Sequence, residues 1–144
     1  MSSIPKPEPG LVISYRYLWR YESDKGQLEG RKGRPSVLVL AAEEQDSKVL
    51  VTVVPITHSN PTKDLSAIEI PAAVKKHLGL DSSPSWIIVD EVNQFVWPGF
   101  DLCMIPGSKG QYDYGFIPPK LFERVKSALL GEFSRQRVKV SNRD

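Results

Sequence analysis

Apolar and polar positions alternate from Leu11 to Tyr21, with Tyr15, Tyr17, Trp19 and Tyr21 on one side and Arg16, Leu18 and Arg20 on the other. A period of two predicts a β-strand whose four rings share one face. Such a face suits a core or dimer surface, or a platform on which unpaired bases stack. Residues 22–33 lose the alternation, and their charged, glycine-containing composition predicts a loop. Two apolar runs follow, Ser36-Val37-Leu38-Val39-Leu40-Ala41 and Val49-Leu50-Val51-Thr52-Val53-Val54. They are separated by the polar stretch from Glu43 to Lys48 and predict a hairpin. Centring the loop between Gln45 and Asp46 sets Ala42 opposite Val49 and Arg34 opposite Thr57. Directly opposed Cβ atoms lie about 5 Å apart. The hairpin's open end therefore joins a guanidinium to a hydroxyl, two groups suited to gripping a phosphate.

Further along, residues 58–63 carry turn chemistry, and Leu65–Ile70 reads as a weak strand. Pro71–Leu78, with Gly79 beyond it, has proline at its start and glycine after its end, as a short helix does. Trp86–Asp90 reads as a strand continuing through Asn93. From Pro118 to Arg135, the positions Leu121, Phe122, Val125, Ala128, Leu129 and Phe133 form a helical stripe. No segment repeats. The chain reads as one domain: an extended arm (1–9), a β core (10–117), a helix (118–135) and a basic tail (136–144). Short strands with turns between them and two flanking helices predict a mainly β, α+β fold, a small curled sheet or barrel.

The 144 residues suffice for a buried core, and 40% hydrophobic with 25% charged side chains is ordinary for a globular chain. A single cysteine, Cys103, excludes an internal disulfide and, lying in an apolar stretch, reads as a small core residue. Two histidines and one cysteine argue against a structural zinc site, so no metal or cofactor is expected. No apolar run approaches the ~20 residues of a membrane span, and no signal-peptide core is present. A cytoplasmic protein is the expectation. Net charge is only +2, but from Lys120 onward seven cationic side chains stand against three acidic ones. Arg31, Lys32 and Arg34 form a second cluster. Such clusters attract phosphates, or else are a solvated helix face and a loose tail.

The order Gly10-Leu11-Val12-Ile13, a glycine-rich loop, Arg34-Pro35 before Val37–Leu40, Val53-Val54-Pro55-Ile56-Thr57, and Val89-Asp90-Glu91 resembles the PemK/MazF family of bacterial toxins. The resemblance spans roughly residues 10–105 and is strongest in the Arg-Pro opening and Pro-Ile-Thr ending of one hairpin. It implies a small SH3-like β-barrel, PemK/MazF/CcdB-like, with flanking helices, usually homodimeric. It also implies metal-independent cleavage of single-stranded RNA and an antitoxin partner. Carried over, the residues at the scissile phosphate are Arg34 and Thr57, with Asp90 matching the family's aspartate.

Metal-free cleavage can use the substrate's own 2′-hydroxyl as nucleophile, which distinguishes RNA from DNA. Arg34 suits charge stabilisation at the phosphate. Thr57 suits orientation, and Asp90 or Glu91 suits proton abstraction. Histidine is the side chain whose ordinary pKa lies nearest neutrality, and His58 is a further acid–base candidate. Arg31, Lys32, Tyr17, Trp19, Arg20 and Asn60 are the expected RNA contacts. The bland alternatives are an ion pair of Arg34 with Glu29 or Asp90, and a turn hydrogen bond at Thr57. Gly26-Gln27-Leu28-Glu29-Gly30 lacks a histidine that the family often carries there, and Ile88 stands where some members have arginine. These departures favour a second expectation, a non-catalytic RNA- or protein-binding relative. A gyrase-poisoning relative of the CcdB kind is a third.

Overall fold

A computed structural model describes residues 4–24, 33–44, 46–59, 66–135 and 138–143. Its elements in chain order are β1 (Leu11–Tyr15), α1 (Arg20–Asp24), β2 (Arg34–Glu43), β3 (Val49–Thr57) and β4 (Ala67–Glu69). After these come α2 (Ala72–Leu78), β5 (Trp86–Ile88), β6 (Glu91–Val96), β7 (Asp113–Phe116), α3 (Pro119–Ser134) and β8 (Lys139–Asn142). The fold is mainly β: one eight-stranded sheet with a long C-terminal helix.

Strands β7, β1, β2 and β3 lie side by side and antiparallel. Strand β3 then divides its free edge. Its first half pairs with β6, and its last two residues, Ile56 and Thr57, pair with β5. Strand β5 carries β4, whereas β6 carries β8 in the single parallel pairing among the described residues. Among the described residues, β7 is not paired to β8, and the sheet stays open.

Alternation sends neighbouring residues of the central hairpin into two cores. Val37, Val54 and Ile56 join Ile70, Leu78, Leu121, Val125 and Leu129 beneath the helices. Leu38, Val51 and Val53 join Tyr15, Tyr17, Phe95 and Leu102 on the other face. A hairpin buried on both faces has to be apolar almost throughout, as these two runs are. The register expected from sequence holds at the open end, where Ser36 faces Pro55, Val37 faces Val54 and Leu38 faces Val53. A bulge between Leu38 and Leu40 shifts it by one residue toward the turn, so Ala42 faces Leu50 rather than Val49.

Both long-expected helices form. Helix α3 starts behind Pro118, in an extended conformation, with proline in its first turn. Its buried Leu121, Val125 and Leu129 recur every fourth residue. Burial of each contributes about 1.5–3 kcal/mol. Phe133, expected on that stripe, is instead exposed. Helix α2 ends at Gly79, whose φ of 72° is left-handed and suits glycine.

Three expectations change. The strand from Leu11 to Tyr21 ends at Tyr15, because the Asn93 side chain takes over the backbone of Leu18. It accepts from the Leu18 N–H at 2.9 Å and donates to the Leu18 carbonyl at 2.9 Å. Helix α1 then begins, and Glu22 Oε1 accepts the Trp19 N–H at 3.1 Å, half of a capping box. The strand expected from Trp86 through Asn93 breaks at Val89 and Asp90, whose backbone groups bond Ser66 and Lys139. The expected basic tail contains β8 and the buried Arg143. Its guanidinium lies 2.7 Å from Asp101 Oδ2, with side chains 3% and 14% exposed respectively. No described helix is long and apolar enough to cross a membrane.

Candidate functional site

The open end of the β2–β3 hairpin places Arg34 at the start of β2, paired with Tyr15 of β1. Thr57 ends β3, paired with Trp86 of β5. The β2–β3 ladder ends at Ser36 and Pro55, so Arg34 and Thr57 lie two residues beyond it at the same end of the hairpin, each paired to a different outer strand. The Arg34 guanidinium stacks over the Trp19 ring, 5.2 Å from its centroid. Burial pulls its pKa below the ordinary arginine value, opposed by the Glu22 carboxylate and the Tyr21 phenol. Its Nε is buried and makes no hydrogen bond among the described residues. Ser36, two residues along on the same face, is fully buried with its hydroxyl likewise unbonded. Buried donors normally find an acceptor, so two together on one face mark an unusual site. Thr57 is buried, and its Oγ1 accepts the Ser59 N–H at 3.1 Å. Its own hydroxyl proton remains available to donate.

Asp90 is 8% exposed, in the break between β5 and β6. Glu91 opens β6, and its Oε1 accepts from the Tyr17 hydroxyl at 3.2 Å and the Arg20 N–H at 3.0 Å. Burial pushes the Glu91 carboxyl up; those two hydrogen bonds oppose the rise, Asp90 adds to it, and Lys139 opposes it. Burial, and then Glu91, raise the Tyr17 phenol well above its usual value.

Tyr17 is 1% exposed and packs edge-on to Trp19 and Tyr15, at centroid distances of 5.2 and 6.3 Å. Tyr15 in turn stacks on Phe95 at 4.7 Å. Tyr15 and Tyr17 are thus core, with no free face for a base, whereas Trp19 is partly buried and Tyr21, in α1, is exposed. Trp19 offers one face to Arg34. Arg20 Nη1 donates to the Val140 carbonyl at 3.1 Å. Arg31, Lys32, Asn60 and Glu29 lie outside the described residues.

His58 follows Thr57 and turns to the side of Ile56, where both line a second feature: a cleft of about 340 Å³. The hairpin end, the loop 79–85, the turn at 105–106 and Tyr114 enclose it. His58 Nε2 meets Asp81 Oδ2 at 2.9 Å, and Nδ1 lies 3.0 Å from Ser85 Oγ and 3.1 Å from the Pro84 carbonyl. Lys75 of α2, 5% exposed, donates to Asp81 Oδ1 at 3.0 Å, to Ser85 Oγ at 2.7 Å and to the Ser83 carbonyl. Three acceptors satisfy this buried ammonium. The Lys75 hydrogen bond holds the Asp81 carboxyl below its ordinary range, against a small desolvation and with help from His58.

Ser85, His58 and Asp81 are residue types of an acyl-transfer triad. Ser85, however, is 1% exposed and already accepts from Lys75, which keeps a substrate carbonyl from its hydroxyl. The set is a clasp joining β3, α2 and β5. Sequence reading missed Lys75, Asp81 and Ser85 because they are scattered over a helix and a polar loop with no spacing that marks them.

Cys103 is half-buried, its Sγ 3.4 Å from Ser14 Oγ and close against Gly33 at the entry to β2. Among the described residues, no cluster of three or more His, Cys, Asp or Glu side chains is arranged to hold a metal ion. Comparison with family models, with curated proteins and with solved structures finds no match to this chain.

Proposed function

We propose that this chain is a metal-independent endoribonuclease of the PemK/MazF kind, acting on single-stranded RNA as the toxin of a toxin–antitoxin pair. The observation that carries the reading is Arg34: its buried Nε–H has no acceptor among the described residues, and it lies at the same hairpin end as the Thr57 hydroxyl. A phosphate oxygen is the acceptor such donors suit. The division of β3 between two ladders supports the finer fold reading, an SH3-like barrel in which the sheet curls around the Tyr15–Phe95 core.

In the proposed reaction the RNA 2′-oxygen attacks the adjacent phosphorus. The 2′-O–P bond forms and the P–O5′ bond breaks, leaving a 2′,3′-cyclic phosphate and a 5′-hydroxyl. Asp90 takes the 2′ proton, and water supplies the proton that O5′ acquires. Arg34 stabilises the charge that builds on the phosphorane oxygens, and Thr57 donates to one of them. Glu91 serves Tyr17 and Arg20 rather than the substrate. His58 serves the clasp. A homodimer and an antitoxin that covers the Arg34 face complete the proposal.

One observation favours a non-catalytic binding module on the same fold: two of the groups able to move a proton, His58 and Glu91, are already held by protein partners. Cleavage of a long labelled RNA in EDTA decides between them. The catalytic reading expects discrete fragments from the wild type and a loss of at least about a hundredfold in rate for Arg34→Ala. Thr57→Ala falls less, and both variants stay folded. Intact RNA with folded wild type refutes it.

A further inference from the structure

We infer that the cleft beside the hairpin end seats the nucleobase next to the phosphate gripped by Arg34, and that Asp81 makes it prefer a base bearing an exocyclic amino group over uracil; this rests on the ribonuclease reading above. Arg34, whose guanidinium lies over Trp19, is also one of the residues lining the cleft, which places the cleft beside the same hairpin end. At about 340 Å³ the cleft sits at the small end of the range for ligand sites, about 300–1,000 Å³, and suits one ring system rather than a long ligand. Pro35, Leu80 and Pro106 give it apolar walls, which suit the faces of a splayed-out base.

Hydrogen-bond counting supplies the selectivity. A carboxylate oxygen accepts about two hydrogen bonds. Asp81 Oδ1 already takes the Lys75 ammonium at 3.0 Å and the Ser83 N–H at 3.1 Å. Among the described residues, Asp81 Oδ2 takes His58 alone, at 2.9 Å. One acceptor position therefore remains on this oxygen of a carboxylate that lines the cleft. Adenine N6, cytosine N4 and guanine N2 each present an N–H donor to it. Uracil presents a carbonyl oxygen where cytosine has its amine, which sets two acceptors against each other. Loss of one hydrogen bond to a charged acceptor, with that oxygen–oxygen conflict, amounts to at least about tenfold in affinity.

Cytidine 3′-monophosphate and uridine 3′-monophosphate make the cleanest pair, because they differ at position 4 of the ring. Each is titrated into the full chain while the imidazole NMR signals of His58 are followed, with His77, on the exposed side of α2, as an internal reference. The expected result is a saturable shift of His58 alone, at least about tenfold tighter for the cytidine nucleotide. Asp81→Asn is expected to bring the two nucleotides within about threefold of each other. Leu80→Trp, which enlarges a side chain of the cleft wall and replaces none of the clasp residues, is expected to abolish both responses. Equal binding of the two nucleotides, or no His58 response to either, overturns the inference. Nucleotide binding is read without catalysis, so the two proposals fail separately. RNA cutting in EDTA with a silent His58 sinks the cleft alone, and a cytidine preference without any cutting sinks the ribonuclease reading alone.

Discussion

Arg143 offers the sharpest test of the architecture. Its side chain is 3% exposed and pairs with Asp101 at 2.7 Å. Its Nη1 also donates to the Arg16 carbonyl at 3.1 Å, the Tyr15 hydroxyl at 3.3 Å and Asn93 Oδ1 at 3.4 Å. Arg143→Met keeps most of the apolar stem and removes the charge and every donor. Asp101, 14% exposed, is then left as a buried carboxylate without this cation. Breaking one side of a buried ion pair costs about 3–5 kcal/mol. The lower end applies, because Asp101 keeps some access to water. A loss of about 3 kcal/mol is a large share of the about 5–15 kcal/mol that holds a domain folded. With an m-value of about 2 kcal/mol/M, the urea midpoint falls by about 1.5 M. Replacing both partners, Asp101→Leu with Arg143→Met, removes the stranded charge and recovers much of the loss. A midpoint shift under about 0.3 M for Arg143→Met, the size of an ordinary surface change, would refute the reasoning and return the segment to a loose tail.

Other outcomes follow from individual contacts. A Cβ at Gly33 would lie 2.5 Å from Cys103 Sγ. Gly33→Ala should therefore destabilise by about 1–3 kcal/mol in thermal unfolding, and adding Cys103→Ala should restore most of it; no rescue by the second change means the strain lies elsewhere. Glu91 binds its proton more tightly folded than unfolded, because burial raises its pKa. Its contribution is thus fully present below the unfolded pKa of about 4.3 and is lost as pH rises through the folded value. Glu91→Gln does not titrate and keeps an acceptor for Tyr17 and Arg20. The difference in melting temperature, variant minus wild type, should grow from pH 4 to pH 7, and a difference that shrinks over that range contradicts the burial argument.

Local chemistry made much of the fold readable. The central hairpin announces itself because both of its faces are buried, but its pairing at the turn is one residue off the loop-centred register, and the bulge between Leu38 and Leu40 is what restores that register at the open end. Helix α2 carries proline before it and glycine after it, and α3 carries a stripe of buried residues every fourth position. The placement of Arg34 and Thr57 at one end of the hairpin is legible for the same reason, because it follows from local strand signals.

What the sequence by itself determined, then, are the elements whose signals lie within a few residues of one another. The tertiary structure alone decided the rest. Alternation runs unbroken through Tyr17 to Tyr21, yet Asn93, far along the chain, captures Leu18 and stops the strand. Glu22 in the first turn of α1 is the one local sign of that change, and five residues of helix are too few to show a period. The basic C-terminal residues look like solvated charge until β6 presents a free edge and Asp101 a buried carboxylate. The Lys75–Asp81–His58–Ser85 clasp is invisible for a like reason: its members converge only when α2 packs beside the end of β3. Burial is a property of distant neighbours, and it decides whether an aromatic stripe becomes a platform or a core and whether a cation is loose or locked.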